Sequence, residues 1–241
     1  MAILLKWWWM GNPTQLSDAI AFKPISNKQA QQLFIQLRDL PCIEFNYANN
    51  YCEDRAHAMA KIIDGQNITT AKVWIFVKGI FKNKFPKVLK VEDKNKVNKK
   101  GYLGWKYHVA PVVVVNRQNR LDTLVIDPAL CSEPVTINEW QGLMNYKNDI
   151  PKEELFWIIK DWKYHMYRVK KKKAQLFEPW KKDKKDYLTK KGLCQGKILY
   201  EYIQVHADST KARRKAKKFK LIPKTYKDRL KPCINEMVLV H

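Results

Sequence analysis

The sequence predicts an α+β fold, and two patterns of apolar residues support that prediction. Between residues 26 and 63, apolar side chains recur three and four positions apart, the spacing of helices that bury one face. Between residues 72 and 126, apolar residues instead form short continuous runs rich in valine and isoleucine, as in buried strands. Helices first and strands afterwards favour an antiparallel sheet with helices packed on it.

Two helices open the predicted core. Ser26 is typical of an N-cap for a helix over Asn27–Leu40, and Pro41 prevents that helix from continuing. A polar loop over Asn46–Asn50 follows. The second helix is predicted over Cys52–Ile63, because its alanine, methionine and isoleucine residues fall on one face before Asp64 and Gly65 end it.

The middle of the chain predicts three strands and a third helix. The strands are Lys72–Val77, Tyr107–Val115 and Thr123–Ile126, with a Lys/Asn-rich loop over 82–101. A capping-box pattern begins the helix at Thr136. Beyond it, the aromatic-rich run Leu155–Val169 fits a strand or a helix equally well.

Charge divides the 241 residues unevenly. The formal net charge is +23, and residues 147–241 carry 27 Lys and Arg against 11 Asp and Glu, a net +16. We therefore divide the chain into a lead-in (1–25), a core (26–146) and a basic C-terminal region (147–241). That region either completes the sheet or binds an acidic partner, which is a protein, a nucleic acid or an anionic membrane surface. A solvated lysine-rich surface explains the charge equally well.

Cysteine usage and hydropathy predict a soluble protein in a reducing compartment. The five cysteines are odd in number, form no C-x-x-C pair and show no clear disulfide pattern. The apolar start Met1–Met10 is interrupted by Lys6 and lacks the basic first segment of a signal peptide. No run approaches the roughly 20 apolar residues that a membrane span requires.

Cys52 is the candidate nucleophile. A thiolate at the first position of a helix is stabilised by the positive end of the helix dipole, which lowers the pKa of the thiol. The backbone N–H of Cys52 and a side-chain amide of Asn46, Asn49 or Asn50 are the predicted donors to an oxyanion. The alternative is that Cys52 is only a small buried residue at a helix start.

His108 is the candidate base, and Asp127 is the residue that orients it. His57 is nearer in sequence, but five residues along a helix turn it roughly 140° away from Cys52. If the strands Tyr107–Val115 and Thr123–Ile126 pair across their turn, His108 faces positions 127 to 129. Asp127 then fixes the imidazole tautomer and stabilises the imidazolium. Taken alone, Asp127 is also a common turn residue before a proline.

The residues around the three candidates resemble the bacterial protein-glutamine glutaminases. The resemblance covers roughly residues 40–145 and is carried by Cys52-x-x-Arg55-Ala56-His57, by Trp105-Lys106-Tyr107-His108, by Ile126-Asp127-Pro128 and by Pro134-Val135-Thr136-x-x-x-Trp140. It implies a papain- or transglutaminase-like core and a Cys-His-Asp triad of nucleophile, base and orienting residue. It also implies that Trp105 lies near the substrate, and that neither a metal nor a cofactor is needed.

The activity implied by the resemblance is deamidation of an accessible glutamine on a protein substrate, with release of ammonia. The same triad could instead cut a peptide bond or transfer the acyl group to an amine, as proteases and transglutaminases do. Without an export signal, the protein would act in the bacterial cytoplasm or inside another cell as an effector or toxin. A basic nucleic-acid-binding protein is the alternative of another class, because aromatic residues lie near Lys170–Lys173.

Overall fold

The structure is a computed structural model, and it describes residues 20–46, 50–78, 87–93, 100–118, 120–169, 174–179, 182–206, 209, 211, 215 and 218–237. The tryptophan-rich start, Asn49, Lys170–Lys173 and most of the loop predicted over 82–101 therefore lie outside the described residues. Among the helices that are described, none is long and apolar enough to cross a membrane.

Helices α1 (Asn27–Arg38) and α2 (Cys52–Gly65) lie where the sequence predicts them. The predicted cap of α1 is a full capping box, since the Ser26 hydroxyl accepts from the Gln29 backbone and the Ser26 N–H donates to the Gln29 side chain at 2.8 Å. The first helix ends at Arg38, two residues before the predicted end. The second extends two residues past it.

The central sheet has six strands. They are β1 (Ile25–Ser26), β2 (Ala71–Val77), β5 (Tyr107–Arg117), β6 (Arg120–Val125), β7 (Val135–Thr136) and β8 (Leu155–Asp161). The order across the sheet is β7-β6-β5-β2-β8, all antiparallel, and β1 adds a short parallel pair to β5. Val112 lies opposite Val125, which is one of the alignments that the sequence predicts.

Among the residues that the structure describes, the remaining strands form two pairs, and four further α-helices are assigned. The pairs are β3 (Leu89–Glu92) with β4 (Tyr102–Trp105), and β9 (Tyr164–Val169) with β10 (Ala174–Pro179). The helices are α3 (Ile137–Leu143), α4 (Lys182–Val205), α5 (Lys224–Lys227) and α6 (Leu230–Glu236). The predicted 82–101 loop is wrong at β3, because four alternating residues are too short a pattern to stand out from the surrounding lysines and asparagines.

The basic C-terminal region is joined to the core through β8 and α4. Strand β8 pairs with the whole length of β2, and α4 packs against α2. The ambiguous run Leu155–Val169 is thus two strands. Cys194 of α4 and Cys233 of α6 form a disulfide, so the expectation of no disulfide pattern is wrong for this pair. Their separation of 39 residues hides the pairing, because connectivity cannot be deduced from spacing.

The two faces of the sheet carry different cores. One face packs Val113, Val115 and Leu124 against Phe34 of α1 and Met59 of α2. The other face packs residues of β2 and β5 against α3, whose Trp140 is fully buried, and against α4. Because neighbouring residues of a strand point to opposite faces, His108 belongs to the second face and Tyr107 to the first. The start of β5 thus presents His108 to one face of the sheet and Tyr107 to the other.

Candidate active site

Cys52 is the first residue of α2, as predicted. Tyr51 before it adopts the left-handed backbone conformation with φ of 64°, so the chain turns sharply into the helix at this point. The first N–H groups of a helix have no acceptor within it, and their positive charge favours an anion. Glu53 and Asp54 occupy the same first turn. Cys52 is half-buried and packs beside Ala56 and Tyr107.

The structure brings His108 and Asp127 together. Nε2 of His108 lies 2.8 Å from Oδ2 of Asp127, and both side chains are almost fully buried. Strand register causes this meeting. The pairing of β5 with β6 continues as far as the bond from the Ile126 N–H to the Pro111 carbonyl, and Asp127 is the next residue along the chain.

Asp127 is held by two further groups. Its Oδ2 also accepts a hydrogen bond from Nε1 of Trp140 at 2.8 Å, and its Oδ1 accepts from the backbone N–H of Ala129 at 3.3 Å. The backbone carbonyl of Asp127 accepts from Leu130 and Cys131, which closes the turn after β6. A buried carboxylate with this many donors stays ionised and in one orientation.

The imidazole of His108 lies between two indole rings. Trp105 stacks on it at a centroid separation of 4.5 Å, and Trp140 lies at 5.5 Å on a tilted plane. Trp105 is only 8% exposed and belongs to the core beside α3. Its place is therefore behind the imidazole, where it fixes the ring plane, rather than at the surface where a substrate arrives.

Charge and burial act in opposite directions on the pair. Burial alone would lower the pKa of His108, but the charge and hydrogen bond of Asp127, together with the nearby Cys52, raise it to about 9. Burial would raise the pKa of Asp127, but His108, Trp140 and Arg55 lower it. The pair is thus an imidazolium and a carboxylate at neutral pH.

Nδ1 is the nitrogen of His108 that remains for the thiol, because Nε2 faces Asp127. It is buried and has no well-aligned hydrogen-bond partner among the described residues. The Cys52 side chain is nevertheless near enough to act on the imidazole, since hydrogen bonding and charge from Cys52 contribute to the raised pKa of His108. The order along the site is thiol, imidazole, carboxylate.

Arg55 connects the start of α2 to this pair. It is 3% exposed, and its Nη1 donates to the backbone carbonyl of Asn50 at 2.8 Å. The guanidinium therefore ties down the turn that leads to Cys52, while its charge helps to keep Asp127 ionised. From the sequence, Arg55 was part of a motif without an assigned role.

Cys52 opens onto a cleft of about 370 Å³. The residues that line it are Asn50, Tyr51, Cys52, Glu53, Asp54, Tyr107 and Lys218. Of the predicted oxyanion donors, Asn50 thus reaches the cleft, Asn49 lies outside the described residues, and the exposed Asn46 donates its backbone N–H to Glu44 at 2.9 Å. A larger cavity at the far end of β5, next to Arg117 and Arg120, contains none of the candidate catalytic residues.

Beyond the residues next to Cys52 in sequence, the cleft contains Tyr107 and Lys218, to which the sequence assigned no role. Tyr107 follows Lys106 in the motif around His108, yet its hydroxyl belongs to the cleft and interacts with Glu53. Burial and the nearby charges of Cys52, Glu53 and Asp54 raise the pKa of Tyr107, so the phenol remains neutral. Lys218 lies 166 positions after Cys52, and nothing in the local sequence links the two.

Comparison with known proteins points to one family. Residues 30–144 match a family model described as a glutaminase, and this segment contains all three candidate catalytic residues. A search of curated protein sequences found no significant match.

Solved structures share the fold. The protein-glutaminase of Chryseobacterium proteolyticum superposes with a TM-score of 0.50 at 18% identity, over 76% of this chain and 89% of that chain. A crystal structure of pro-protein-glutaminase gives a TM-score of 0.51 at 18% identity, over 80% of this chain and 62% of that chain. Residues 30–144 therefore resemble the glutaminase family in sequence, and the chain shares the fold of the solved protein-glutaminases.

Proposed function

We propose that this protein hydrolyses the side-chain amide of protein-bound glutamine to glutamate and ammonia, using Cys52, His108 and Asp127. The observation that supports this proposal most directly is the buried 2.8 Å contact between His108 and Asp127, next to a cysteine that begins a helix and opens onto a cleft. A thiol nucleophile needs both an adjacent base and a group that orients the base. The family match supports the choice of a glutamine amide as the reacting group.

The reaction proceeds in two halves. The Cys52 thiolate attacks the carboxamide carbon, and the oxyanion that forms is met by the free N–H groups at the start of α2. The imidazolium of His108 donates its Nδ1 proton to the nitrogen as the carbon–nitrogen bond breaks, so ammonia leaves and a thioester remains. His108 then accepts a proton from water, hydroxide adds to the thioester, and Cys52 departs to leave glutamate.

Asp127 and the aromatic residues hold the base throughout the cycle. The carboxylate binds Nε2, so that Nδ1 faces the thiol, and it stabilises the positive charge of the imidazolium. Trp140 keeps Asp127 in place, while Trp105 and Trp140 keep the ring from rotating. The barrier to reaction thus depends on a site that is already arranged before the substrate arrives.

The decisive experiment compares wild type with Cys52→Ala on a glutamine-containing peptide. Wild type should release ammonia and raise the peptide mass by about one dalton, whereas Cys52→Ala should do neither, because it lacks the nucleophile. Cys42→Ala is the matched control, since Cys42 is also a half-buried free thiol but lies outside the cleft lining. It should retain full activity.

The same mass spectra separate the other reactions of a thiol triad. Peptide fragments would indicate a protease, and incorporation of an added primary amine would indicate a transglutaminase. If wild-type protein releases no ammonia from a broad panel of glutamine-containing peptides and proteins, the proposal is refuted. Action as an effector or toxin inside another cell remains a prediction from the sequence.

A further inference from the structure

We propose that Lys218, Lys220 and Lys224, here called the basic rim, select substrates whose target glutamine is flanked by acidic residues. The inference rests on the proposed function, because it assigns a substrate class to the same cleft. It also explains one part of the +23 net charge.

The position of the rim follows from Lys218. Lys218 lines the cleft into which Cys52 opens, although it belongs to the basic C-terminal region. Lys220 lies two residues further on, so its Cα is within about 7 Å of that of Lys218. Lys224 then begins α5. A peptide that presents a glutamine to Cys52 therefore passes at least one of these lysines.

The backbone around the rim is packed on α4. Ile222 lies between the lysines in sequence and is 2% exposed, in the core that also contains residues of α4. The ring of Tyr226 packs edge-on against Tyr202 of α4 at 5.0 Å. Arg229 forms an ion pair with Glu201 at 2.6 Å, and the Cys194–Cys233 disulfide fastens α6 to α4. The backbone of the rim is thus anchored at Ile222, within the rim, and again on its C-terminal side.

The charges of the rim are available to a partner. All three lysines are exposed, and none forms an ion pair with any residue that the structure describes. The carboxylates of Glu53 and Asp54, which also line the cleft, differ from these lysines because both contact protein groups. Glu53 interacts with Tyr107, and the carboxylate of Asp54 lies against Gly192 of α4, where an added Cβ would collide with it.

An acidic polypeptide fits the rim better than a nucleic acid does. Proteins that bind single-stranded nucleic acid combine cations with aromatic faces on which bases stack. The aromatic residues between and beside the rim lysines are already used, because Phe219 packs on the core and Tyr226 packs on Tyr202. Exposed cations whose neighbouring aromatic residues are packed on the protein attract carboxylates towards the cleft and increase the rate of encounter.

The experiment uses three peptides that differ only in the residues flanking one glutamine: neutral, glutamate-rich and lysine-rich. For wild type at low salt, we expect kcat/KM for the glutamate-rich peptide to exceed that for the lysine-rich peptide by about tenfold or more, and the ratio to shrink as salt rises. In the triple variant Lys218→Gln, Lys220→Gln, Lys224→Gln, the ratio should approach one. Because the readout is a ratio between peptides, a change in the chemical step cancels.

The matched control removes three cations elsewhere. Lys23, Lys28 and Arg120 are exposed at the far end of β5 from His108, and their replacement by Gln leaves the same net charge as the rim variant. This control should keep both the wild-type activity and the wild-type ratio. Loss of preference in the control as well would assign the effect to overall charge and would overturn the proposal.

A second measurement separates this inference from the proposed function. Binding of the labelled peptides to Cys52→Ala, with and without the rim substitutions, needs no turnover. Preferential, rim-dependent binding of the glutamate-rich peptide supports the inference even if no peptide is deamidated, and the proposed function then fails alone. Turnover or binding without flank preference overturns the inference, as does rim-dependent binding of a single-stranded oligonucleotide without any peptide preference.

Discussion

The two sides of the candidate nucleophile differ in burial and in the part of the chain that supplies them. On one side lie His108, Asp127 and Trp140, all buried and all within the segment that matches the family model. On the other side lies an open cleft, to which Tyr107 contributes from the family segment and Lys218 from the basic C-terminal region. In the proposed reaction, the buried side holds and moves a proton, whereas the open side meets the substrate.

This difference indicates how chemistry and specificity are divided in the chain. Electrostatic interactions are strong where water is excluded and weak where charges are exposed. Changes on the buried side should therefore have large effects that are the same for every substrate. Changes on the open side should have small effects that depend on the substrate. Substitutions on each side of Cys52 test this division.

Asp127→Asn should have the largest effect on the buried side. The amide keeps the shape of the carboxylate but carries no charge to stabilise the imidazolium, so kcat should fall roughly 10²- to 10⁴-fold, the range of general acid–base catalysis. Steady-state rates on neutral and charged peptides should fall by the same factor. Asp122→Asn, on the same strand β6 but paired with Arg120, is the control and should retain activity. An Asp127→Asn variant with near-normal kcat would remove Asp127 from the mechanism.

The pH dependence of kcat/KM should reflect the pair of His108 and Asp127. In the proposed reaction, His108 must be an imidazolium to protonate the departing amide nitrogen, and its pKa of about 9 means that this form is lost as the pH rises through that value. We expect kcat/KM to fall on the alkaline side near pH 9. Because Asp127 raises the pKa of His108, any residual activity of Asp127→Asn should fall at a lower pH. An alkaline limb that does not move in the variant would mean that the limb belongs to another group.

Trp140→Phe should have an intermediate effect. The change removes the hydrogen bond to Asp127 but keeps an aromatic ring beside His108. A hydrogen bond to a charged group contributes about 1.5–3 kcal/mol, so kcat should fall roughly tenfold or more. Because Trp140 lowers the pKa of Asp127, that pKa should rise in the variant. Trp105→Phe is the control, since Trp105 stacks on His108 and makes no described bond to Asp127, and its effect should be smaller.

Much of the buried side could be predicted from the sequence, because its causes are local. A Ser26 cap, an apolar helical face and two apolar runs joined by a short turn predict α1, α2, β5 and β6. The strand register then places Asp127 beside His108. Local patterns of this kind are the most reliable signals in a single sequence.

The open side could not be predicted, because it depends on contacts between distant parts of the chain. Lys218 lies at the cleft in a fold whose C-terminal region is held by long-range contacts: β8 pairs with β2, α4 packs on α2, and Cys194 is bonded to Cys233. No spacing in the sequence encodes those contacts. The aromatic run Leu155–Val169 was ambiguous for a related reason, since its partner strand β2 lies about 80 residues earlier.

Tyr107→Phe should have the smallest effect of the substitutions considered, and its pattern distinguishes the two sides most sharply. The hydroxyl lies in the cleft and interacts with Glu53, so its loss should cost about 0.5–1.5 kcal/mol, the usual contribution of one hydrogen bond. We expect a change mainly in KM that varies with the peptide, while the alkaline limb near pH 9 stays in place, because Tyr107 does not act on His108. Tyr102→Phe is the matched control, since Tyr102 packs on Tyr146 outside the cleft lining, and it should change neither parameter. If Tyr107→Phe instead lowered kcat equally for all peptides and moved the alkaline limb, the open cleft would take part in proton transfer, and the division between the two sides would fail at the residue next to His108.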